Sequence, residues 1–310
     1  MGSGASESGV LRTRFFHWDL PHPIFIASGP LSDRRRTIEK MIEAGAAGVV
    51  TKTIAPSADP RRCRCRRSGD LLLNRDGYSR RTLADWEVDL DALRGQPIIA
   101  NVVADTPDEL AMVCRKVVAA GAEILELGLS CPTLEDEDPI CCVPEKLRDF
   151  CIAARRAVDV PIVVKLLIAT SAGMNREMVR VVREAGADGL SLADTLPSLF
   201  LEPSGAHVLG GPGGASGGFL KPLVLKAIYD VQEEAGDRME FMGIGGVMTA
   251  EDAVDYIRAG CSIVQICTLV MNENYHAIAP LVQRLEQLVP PGMTALDIKN
   301  TAAPVVAEGH

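Results

Sequence analysis

Short apolar runs alternate with amphipathic segments along most of the chain, and one junction between the two recurs four times. Each junction is typical of a helix that ends at a glycine and is followed at once by a buried strand, because the left-handed residue after a helix is least costly without a Cβ. The four junction glycines are Gly45, Gly121, Gly186 and Gly260. Four further apolar runs lie at 23–27, 97–101, 161–165 and 239–243. The pattern therefore predicts eight strands.

The segments between these strands carry the periodicity of amphipathic helices. Helix start signals precede residues 34–44, 108–120 and 250–259. Near-continuous apolar strands that alternate with helices predict a parallel sheet covered by helices, and the fourfold recurrence favours closure into an α/β TIM barrel, (β/α)8. An open doubly wound sheet is the alternative.

We expect one barrel domain over residues 21–290, with an N-terminal tail at 1–20 and a C-terminal tail at 291–310. Two connections are long: residues 54–96 after the second strand and 195–219 after the sixth. Both follow the carboxyl ends of strands, where barrel enzymes place their active sites. We therefore expect the chemistry at that end of the barrel.

Charge and cysteine content narrow the class of protein. Lys and Arg number 32 against 41 Asp and Glu, a formal charge of −9 that argues against a nucleic-acid partner. The longest apolar stretches run about ten residues, well short of the roughly 20 that a membrane span needs. Nine cysteines, an odd number, without a signal-peptide pattern indicate a reducing cytoplasm. These features favour a cytoplasmic protein with a small-molecule substrate.

Two lysines and two small-residue loops indicate an anionic ligand. Lys52 and Lys165 each end an apolar strand, and a buried lysine costs several kcal/mol unless an anion or a dipole meets it. The loops after the seventh and eighth strands, 243–246 and 267–268, occupy the usual phosphate-binding place of a barrel. The sequence therefore predicts a phosphate-bearing ligand at the mouth.

Two cysteine-containing segments allow two interpretations each. Cys131 follows the fourth strand and is either a proton-transferring group over the ligand or a packing residue. The segment Arg61 to Arg67 holds five arginines in seven residues and is either a solvated loop or a docking surface for an acidic partner. Cys63 and Cys65 are too close together for a typical zinc pair, so we expect no metal site.

Eight short segments, in register with the eight strands, carry a family resemblance. They are Ile-Ala-Ser-Gly (26–29), Val-Val-Thr-Lys-Thr (49–53), Pro-Ile-Ile-Ala-Asn-Val (97–102), Leu-Ser-Cys-Pro (129–132), Val-Lys-Leu (164–166), Ser-Gly-Gly-Phe-Leu-Lys-Pro (216–222), Gly-Ile-Gly-Gly-Val (243–247) and Val-Gln-Ile-Cys-Thr (264–268). Through them the chain, from about Pro23 to Leu288, resembles the flavin-dependent dihydroorotate dehydrogenases, particularly class 1, and the related flavin domain of dihydropyrimidine dehydrogenase.

The resemblance implies FMN at the barrel mouth and assigns roles to named positions. Lys52, beside the flavin ring, and Cys131, as the proton-transferring base, would be the catalytic residues. The implied FMN-binding residues are Ala27, Ser28, Gly29, Lys52, Thr53, Asn101, Lys165, Ala193, Gly217, Gly245, Gly246, Cys267 and Thr268. The implied substrate-binding residues are Asn74, Gly128, Thr133, Asp194 and Thr195.

The substrate positions depart from the family pattern. Gly128, Thr133 and Asp194 stand where members that use orotate have asparagine, and Cys267 replaces a usual glycine. An ionised Asp194 only accepts hydrogen bonds and would repel a substrate carboxylate. We therefore expect an FMN-dependent oxidoreductase acting on a CH–CH or CH–NH bond of a small, nitrogenous compound other than dihydroorotate.

Three other functions remain open at this point. They are dihydroorotate dehydrogenase proper in pyrimidine biosynthesis, a non-redox lyase or isomerase barrel that binds a phosphorylated substrate, and a flavin-binding protein without turnover. The sequence has neither a nicotinamide fingerprint nor an iron–sulfur cysteine cluster, so we expect a soluble electron acceptor or an electron-transfer partner protein. We also expect a homodimer or a higher homo-oligomer.

Overall fold

Eight parallel strands close into a barrel in the structure, a computed structural model that describes residues 9–61, 63–130 and 138–302. Together with those outside the barrel, the strands of the described residues are β1 (Thr13–Phe15), β2 (Trp18–Leu20), β3 (Ile24–Ile26), β4 (Gly48–Val50), β5 (Arg64–Ser68), β6 (Leu71–Arg75), β7 (Ile98–Val102), β8 (Ile124–Leu127), β9 (Ile162–Leu166), β10 (Gly189–Leu192), β11 (Leu196–Ser198), β12 (Gly213–Gly217), β13 (Glu240–Ile244) and β14 (Cys261–Ile266). The barrel order is β10-β13-β14-β3-β4-β7-β8-β9. The prediction of a TIM barrel is confirmed.

Helices follow the barrel strands and cover them. They are α1 (Arg35–Glu43), α2 (Leu83–Ala92), α3 (Pro107–Ala119), α4 (Pro144–Ala157), α5 (Ala172–Glu184), α6 (Leu220–Ala235), α7 (Ala250–Arg258), α8 (Thr268–Glu273), α9 (Ile278–Leu288) and α10 (Ala295–Ile298). The four junction glycines have φ between +90° and +115°, as the helix-to-strand pattern predicts. Among the described residues, no helix is long and apolar enough to span a membrane.

A hairpin of β1 and β2 closes the amino-terminal end of the barrel. Phe15 and Leu20 of the hairpin are buried in one cluster with Phe25, Val163 and Met242 of the barrel strands. These strand residues alternate with others that face the surrounding helices, so they point into the barrel. The hairpin therefore forms the barrel floor.

Packed elements lie inside both segments that the sequence analysis set apart as tails. The β1–β2 hairpin lies within 1–20, and α10 lies within 291–310. The Ala295 backbone N–H donates to the Val10 carbonyl at 2.7 Å, which joins the two ends of the chain. Strands of three residues and a helix of four are too short to show a hydrophobic period, so the sequence pattern does not reveal them.

The two long connections meet in a second, antiparallel sheet of order β11-β12-β6-β5, which we call the roof sheet. Asn74 of β6 pairs with Gly214 of β12. The connections leave β4 and β10, which lie on opposite sides of the eight-strand ring, so the roof sheet spans the mouth of the barrel.

The described arginines of the predicted cluster bind groups of the chain itself. The Arg64 guanidinium donates to the Leu209 carbonyl at 3.1 Å, and Arg66 pairs with Glu202. Both contacts join the first long connection to the second. Arg64 and Arg66 therefore link the two connections, whereas Arg61 and Arg67 bond to Asp59 and Gly69 within the first one. Partner docking on this surface stays a prediction.

Candidate functional site

One pocket between the barrel mouth and the roof sheet collects most of the predicted site residues. Those that line it are Ser28, Gly29, Lys52, Thr53, Asn74, Asn101, Gly128, Lys165, Ala193, Asp194, Thr195, Gly245, Gly246, Cys267 and Thr268. They come from loops after strands that are far apart in sequence, and the closed barrel brings them together.

The remaining four predicted residues differ in their placement. Ala27 is buried behind the pocket, where its N–H donates to the Ile266 carbonyl at 3.0 Å. Gly217 backs the loop at Gly246, because a Cβ built on Gly246 would lie 3.0 Å from the Gly217 carbonyl oxygen. Cys131 and Thr133 lie outside the described residues.

Lys165 projects from the end of β9 and is neutralised within the chain. Its Nζ lies 3.4 Å from Asp194 Oδ1, and Ser130 Oγ donates to Asp194 Oδ2 at 2.7 Å. Burial opposes the charged form of Lys165, but the carboxylates of Asp194 and Glu126 outweigh it and raise the pKa of the lysine. Part of the negative charge that the sequence led us to expect from a ligand is therefore supplied by Asp194.

Lys52 has a corresponding internal partner. Its Nζ donates a hydrogen bond to Asp76 Oδ2, in an ion pair that is largely buried. Asp76 follows β6, so the pairing needs the fold of the first long connection and is not visible from spacing along the chain. Asp76 lines the pocket two residues after Asn74 and was not among the predicted site residues.

A layer of buried polar side chains lies beneath the pocket. Asn101 Nδ2 donates to Glu126 Oε1, and Gln265 Nε2 donates to Ser191 Oγ at 3.1 Å. Asn101 Oδ1 and Gln265 Oε1 are buried without a partner in the structure, and both residues line the pocket. Buried acceptors of this kind normally receive a hydrogen bond, so they fit N–H or O–H donors of a bound group such as a flavin.

Glu126 and Gln265 escaped the sequence analysis although a signal was present. Each is the one polar side chain among apolar neighbours, in Ile-Leu-Glu-Leu (124–127) and Ile-Val-Gln-Ile (263–266). A polar side chain inside an apolar barrel strand is buried and therefore needs a hydrogen-bond partner within the barrel. That criterion would have found both residues.

Gly128 leaves room that a neighbouring amide fills. A Cβ at Gly128 would lie 2.5 Å from Asn101 Oδ1 and 3.1 Å from Thr53 Cγ2. A larger residue at 128 would therefore push Asn101 aside. The amide of Asn101 occupies space beside the position where the family pattern has an asparagine side chain.

The two loops on the predicted phosphate side bring backbone and small polar groups to the pocket. Gly246 has φ +73°, and a Cβ there would lie 2.5 Å from the Lys221 backbone nitrogen, so only glycine fits. Thr268 Oγ1 and Ser216 Oγ are 2.9 Å apart in a hydrogen bond. Burial raises the pKa of Cys267 to about 11, so a neutral thiol stands on this side of the pocket. A neutral thiol does not repel a phosphate.

The chain as a whole is similar to proteins of one family. A family model described as dihydroorotate dehydrogenase matches residues 10–289. The chain is 31% identical over 275 residues to "Dihydroorotate dehydrogenase B (NAD(+)), catalytic subunit" of Methanopyrus kandleri, covering 83% of this chain and 85% of that protein. The protein of the same name from Thermoplasma volcanium is 31% identical over 258 residues, covering 80% of this chain and 83% of the relative. The one from Pyrococcus abyssi is 27% identical over 300 residues, covering 90% and 93%.

Proposed function

Because the chain belongs to the dihydroorotate dehydrogenase family, we propose that it is an FMN-dependent enzyme that oxidises a ring C–C single bond of a dihydropyrimidine, with dihydroorotate as its substrate. Family membership makes the chain an oxidoreductase that acts by dehydrogenation, and a flavoprotein. The names of the relatives favour dihydroorotate over the different nitrogenous compound that the sequence analysis expected.

The observation that carries the proposal is a pair of buried acceptors without a partner, Asn101 Oδ1 and Gln265 Oε1, on two residues that line the pocket. FMN, when bound, supplies a ring that accepts or donates a hydride. In the proposal Asn101 and Gln265 would accept hydrogen bonds from bound FMN, Lys165 would supply a positive charge in the same pocket, and Gly246 would leave backbone room for the phosphate. The predicted proton-transferring residue, Cys131, belongs to a segment outside the described residues.

Two contacts weaken the argument against dihydroorotate. The charge of Asp194 is balanced by Lys165 at 3.4 Å, so its repulsion of a substrate carboxylate is reduced. The Asn101 amide lies beside Gly128, so a polar side chain is still present near the place of the missing asparagine. The third departure from the family pattern, Thr133, lies outside the described residues.

A carboxylate-free dihydropyrimidine, such as dihydrouracil, is the second candidate. Within the described residues, the two lysines that line the pocket, Lys52 and Lys165, are each paired with a lining carboxylate, Asp76 and Asp194. A substrate carboxylate would have to compete with these aspartates for the lysines. That balance of charge favours a neutral ring, and it is the reason to test both compounds.

Anaerobic flavin bleaching separates the candidates. The purified chain is reconstituted with FMN and mixed with dihydroorotate or with dihydrouracil, and loss of the visible flavin absorption is followed. Faster bleaching by dihydroorotate supports the proposal, and faster bleaching by dihydrouracil supports the second candidate. The variant Asp76→Asn should shift the preference toward dihydroorotate, because it frees the charge of Lys52. A chain that binds no FMN on reconstitution would instead support a non-redox phosphate-binding barrel.

Single-turnover bleaching also tests Cys131. We expect Cys131→Ala to slow bleaching by about 10²–10⁴ while FMN stays bound, because general acid–base catalysis contributes about that factor. Cys131→Ser should keep part of the rate, since a hydroxyl can pass a proton with the help of water. An unchanged rate in the alanine variant would identify Cys131 as a packing residue.

We further propose that electrons leave the flavin through an electron-transfer partner protein. The name "catalytic subunit" that the relatives carry supports a partner for this chain. The test is steady-state turnover of the isolated, FMN-loaded chain with NADH or NAD⁺, which we expect to be absent. Full turnover without a further protein would contradict the proposal.

A further inference from the structure

Two cysteines at the edge of the roof sheet lie in contact beside the pocket. Cys63 immediately precedes β5, Cys65 is the second residue of that strand, and their Sγ atoms are 3.2 Å apart. Both are exposed to solvent, and Cys65 also lines the pocket. The proposed dehydrogenation uses neither thiol.

The two thiols differ in acidity. The hydrogen bond from the Cys63 thiol lowers the pKa of Cys65, and the nearby charge of Lys52 acts in the same direction. The same hydrogen bond raises the pKa of Cys63. Because the thiolate is the form that attacks a disulfide, Cys65 is the nucleophile of the pair and Cys63 is the resolving thiol.

We propose that Cys63 and Cys65 form a redox-active dithiol site that exchanges with small-molecule disulfides of the glutathione class. The Cys65 thiolate attacks one sulfur of the disulfide, forming a mixed disulfide and releasing the first small thiolate. Cys63 then loses its proton to water and attacks the Cys65 sulfur, releasing the second thiolate. In sum, the two protein thiols are oxidised to one disulfide, and the small disulfide is reduced to two thiols, which take up the two protons that the protein thiols release.

The geometry favours a reversible bond. The Sγ atoms need to approach from 3.2 Å to about 2.05 Å, a small movement for two exposed side chains at a sheet edge. The cysteines are two residues apart, so the bond closes a small ring and constrains the disulfide geometry. Strained and exposed disulfides are the ones that are readily reduced.

Contacts link this dithiol site to the proposed substrate pocket. Cys65 pairs directly with Asn74 across β5 and β6. The one proton of the Cys63 thiol is shared between the Cys65 sulfur and the carboxylate of Asp76, the partner of Lys52. Oxidation therefore removes the proton that reaches Asp76 and draws the Cys65 sulfur toward Cys63, on the strand next to Asn74.

Peptide mapping of the full chain tests the site. The chain is equilibrated with mixtures of reduced and oxidised glutathione, free thiols are alkylated, and cleavage before Asp59 and Asp70 releases the peptide 59–69, whose only cysteines are 63 and 65. We expect this peptide to lose two hydrogen atoms with rising oxidised glutathione and to regain them in excess reduced glutathione. The control Cys142→Ser, which removes an exposed thiol elsewhere, should leave this response unchanged.

Single variants test the assigned order of attack. Cys63→Ser should accumulate glutathione on Cys65, because the resolving thiol is missing. In Cys65→Ser, Cys63 should react more slowly than Cys65 reacts in Cys63→Ser, because burial and the Asp76 carboxylate still raise the pKa of Cys63, whereas Lys52 still acts to lower that of Cys65. A peptide 59–69 that remains fully alkylated in excess oxidised glutathione, or equal rates in the two variants, would overturn the proposal. The readout needs neither flavin nor substrate, so it is independent of the proposed function.

Discussion

The substitution Asp194→Asn tests the charge pair of Lys165 and Asp194 in the pocket lining, which reduces the repulsion that Asp194 would exert on the carboxylate of dihydroorotate. Lys165 Nζ and Asp194 Oδ1 are 3.4 Å apart, and the side chains are 7% and 19% exposed. At an effective dielectric constant of about 20, two unit charges at this separation attract by about 5 kcal/mol. The variant loses this attraction, but it also no longer has the desolvation cost of burying the Asp194 charge, and Glu126 still stabilises charged Lys165.

The asparagine keeps one contact and loses the other. Asp194 accepts from Ser130 Oγ with Oδ2 and from the Thr195 backbone N–H with Oδ1, at 2.8 Å. The single side-chain oxygen of an asparagine can accept only one of the two, so the change removes the charge of Asp194 and one accepted hydrogen bond. We expect the free energy of unfolding to fall by about 2–3 kcal/mol, somewhat below the usual cost of breaking a buried pair because Glu126 remains. The pKa of Lys165 should also fall, because burial then has less opposition.

The assay is a double-mutant cycle in urea at pH 7 with Asp194→Asn, Lys165→Met and both changes together. We expect a coupling energy of about 2 kcal/mol or more. The exposed pair Arg284–Glu251 provides a matched control, for which surface ion pairs predict about 0–1 kcal/mol. Coupling at Asp194 no larger than the control would refute the reasoning, because Asp194 would then be free to repel a substrate carboxylate.

Three further changes test the rest of the structure. Gly246→Ala should weaken FMN binding and lower the free energy of unfolding by about 1–2 kcal/mol through left-handed backbone strain alone. Flavin titration and thermal unfolding measure the two effects. Gly218→Ala, whose Cβ meets nothing closer than 3.9 Å, is the control and should be near neutral. Burial lowers the pKa of His22 to about 4 from its usual value of about 6.5. Between these two values the unfolded state binds more protons than the folded state, so stability falls with decreasing pH. Between pH 7.5 and 5, His22 should lower the free energy of unfolding by about 2 kcal/mol. His22→Asn should remove this pH-dependent loss, whereas His207→Asn, at an exposed position, should leave it in place. Phe15→Ala should cost about 3–5 kcal/mol in urea unfolding, because it opens a cavity in the barrel floor; a cost below about 1 kcal/mol would mean that the hairpin does not close the barrel.

Local patterns were enough to predict the barrel, because a few consecutive residues mark where each helix ends and where the next strand begins. The junction at Gly45 and its three counterparts predicted the helix ends and the strands that follow them. The roof sheet was not predictable in this way, since β6 and β12 pair across about 140 residues of sequence and their register depends on the closed barrel.

The candidate site divides along the same line. Lys52 and Lys165 were predictable because a charged residue at the end of an apolar strand is conspicuous. Their partners were not, because Asp76 reaches Lys52 only through the fold of a long connection. The prediction of the substrate treated Asp194 as an unpaired carboxylate. The ion pair with Lys165, at 3.4 Å, balances the charge of Asp194 and could not be seen from the sequence.

The roof sheet has a consequence for the order in which the molecule folds. Its two halves leave opposite sides of the ring, so they meet only after the intervening strands have assembled and the loop-closure entropy has been overcome. Its own apolar cluster is small, built on Leu73, Leu209 and Ala215. Little burial and late assembly together place the sheet at the low end of local stability, so its amide hydrogens should exchange with solvent faster than those of the barrel strands. The pocket beneath it would then open to solvent without global unfolding, by local separation of β6 from β12.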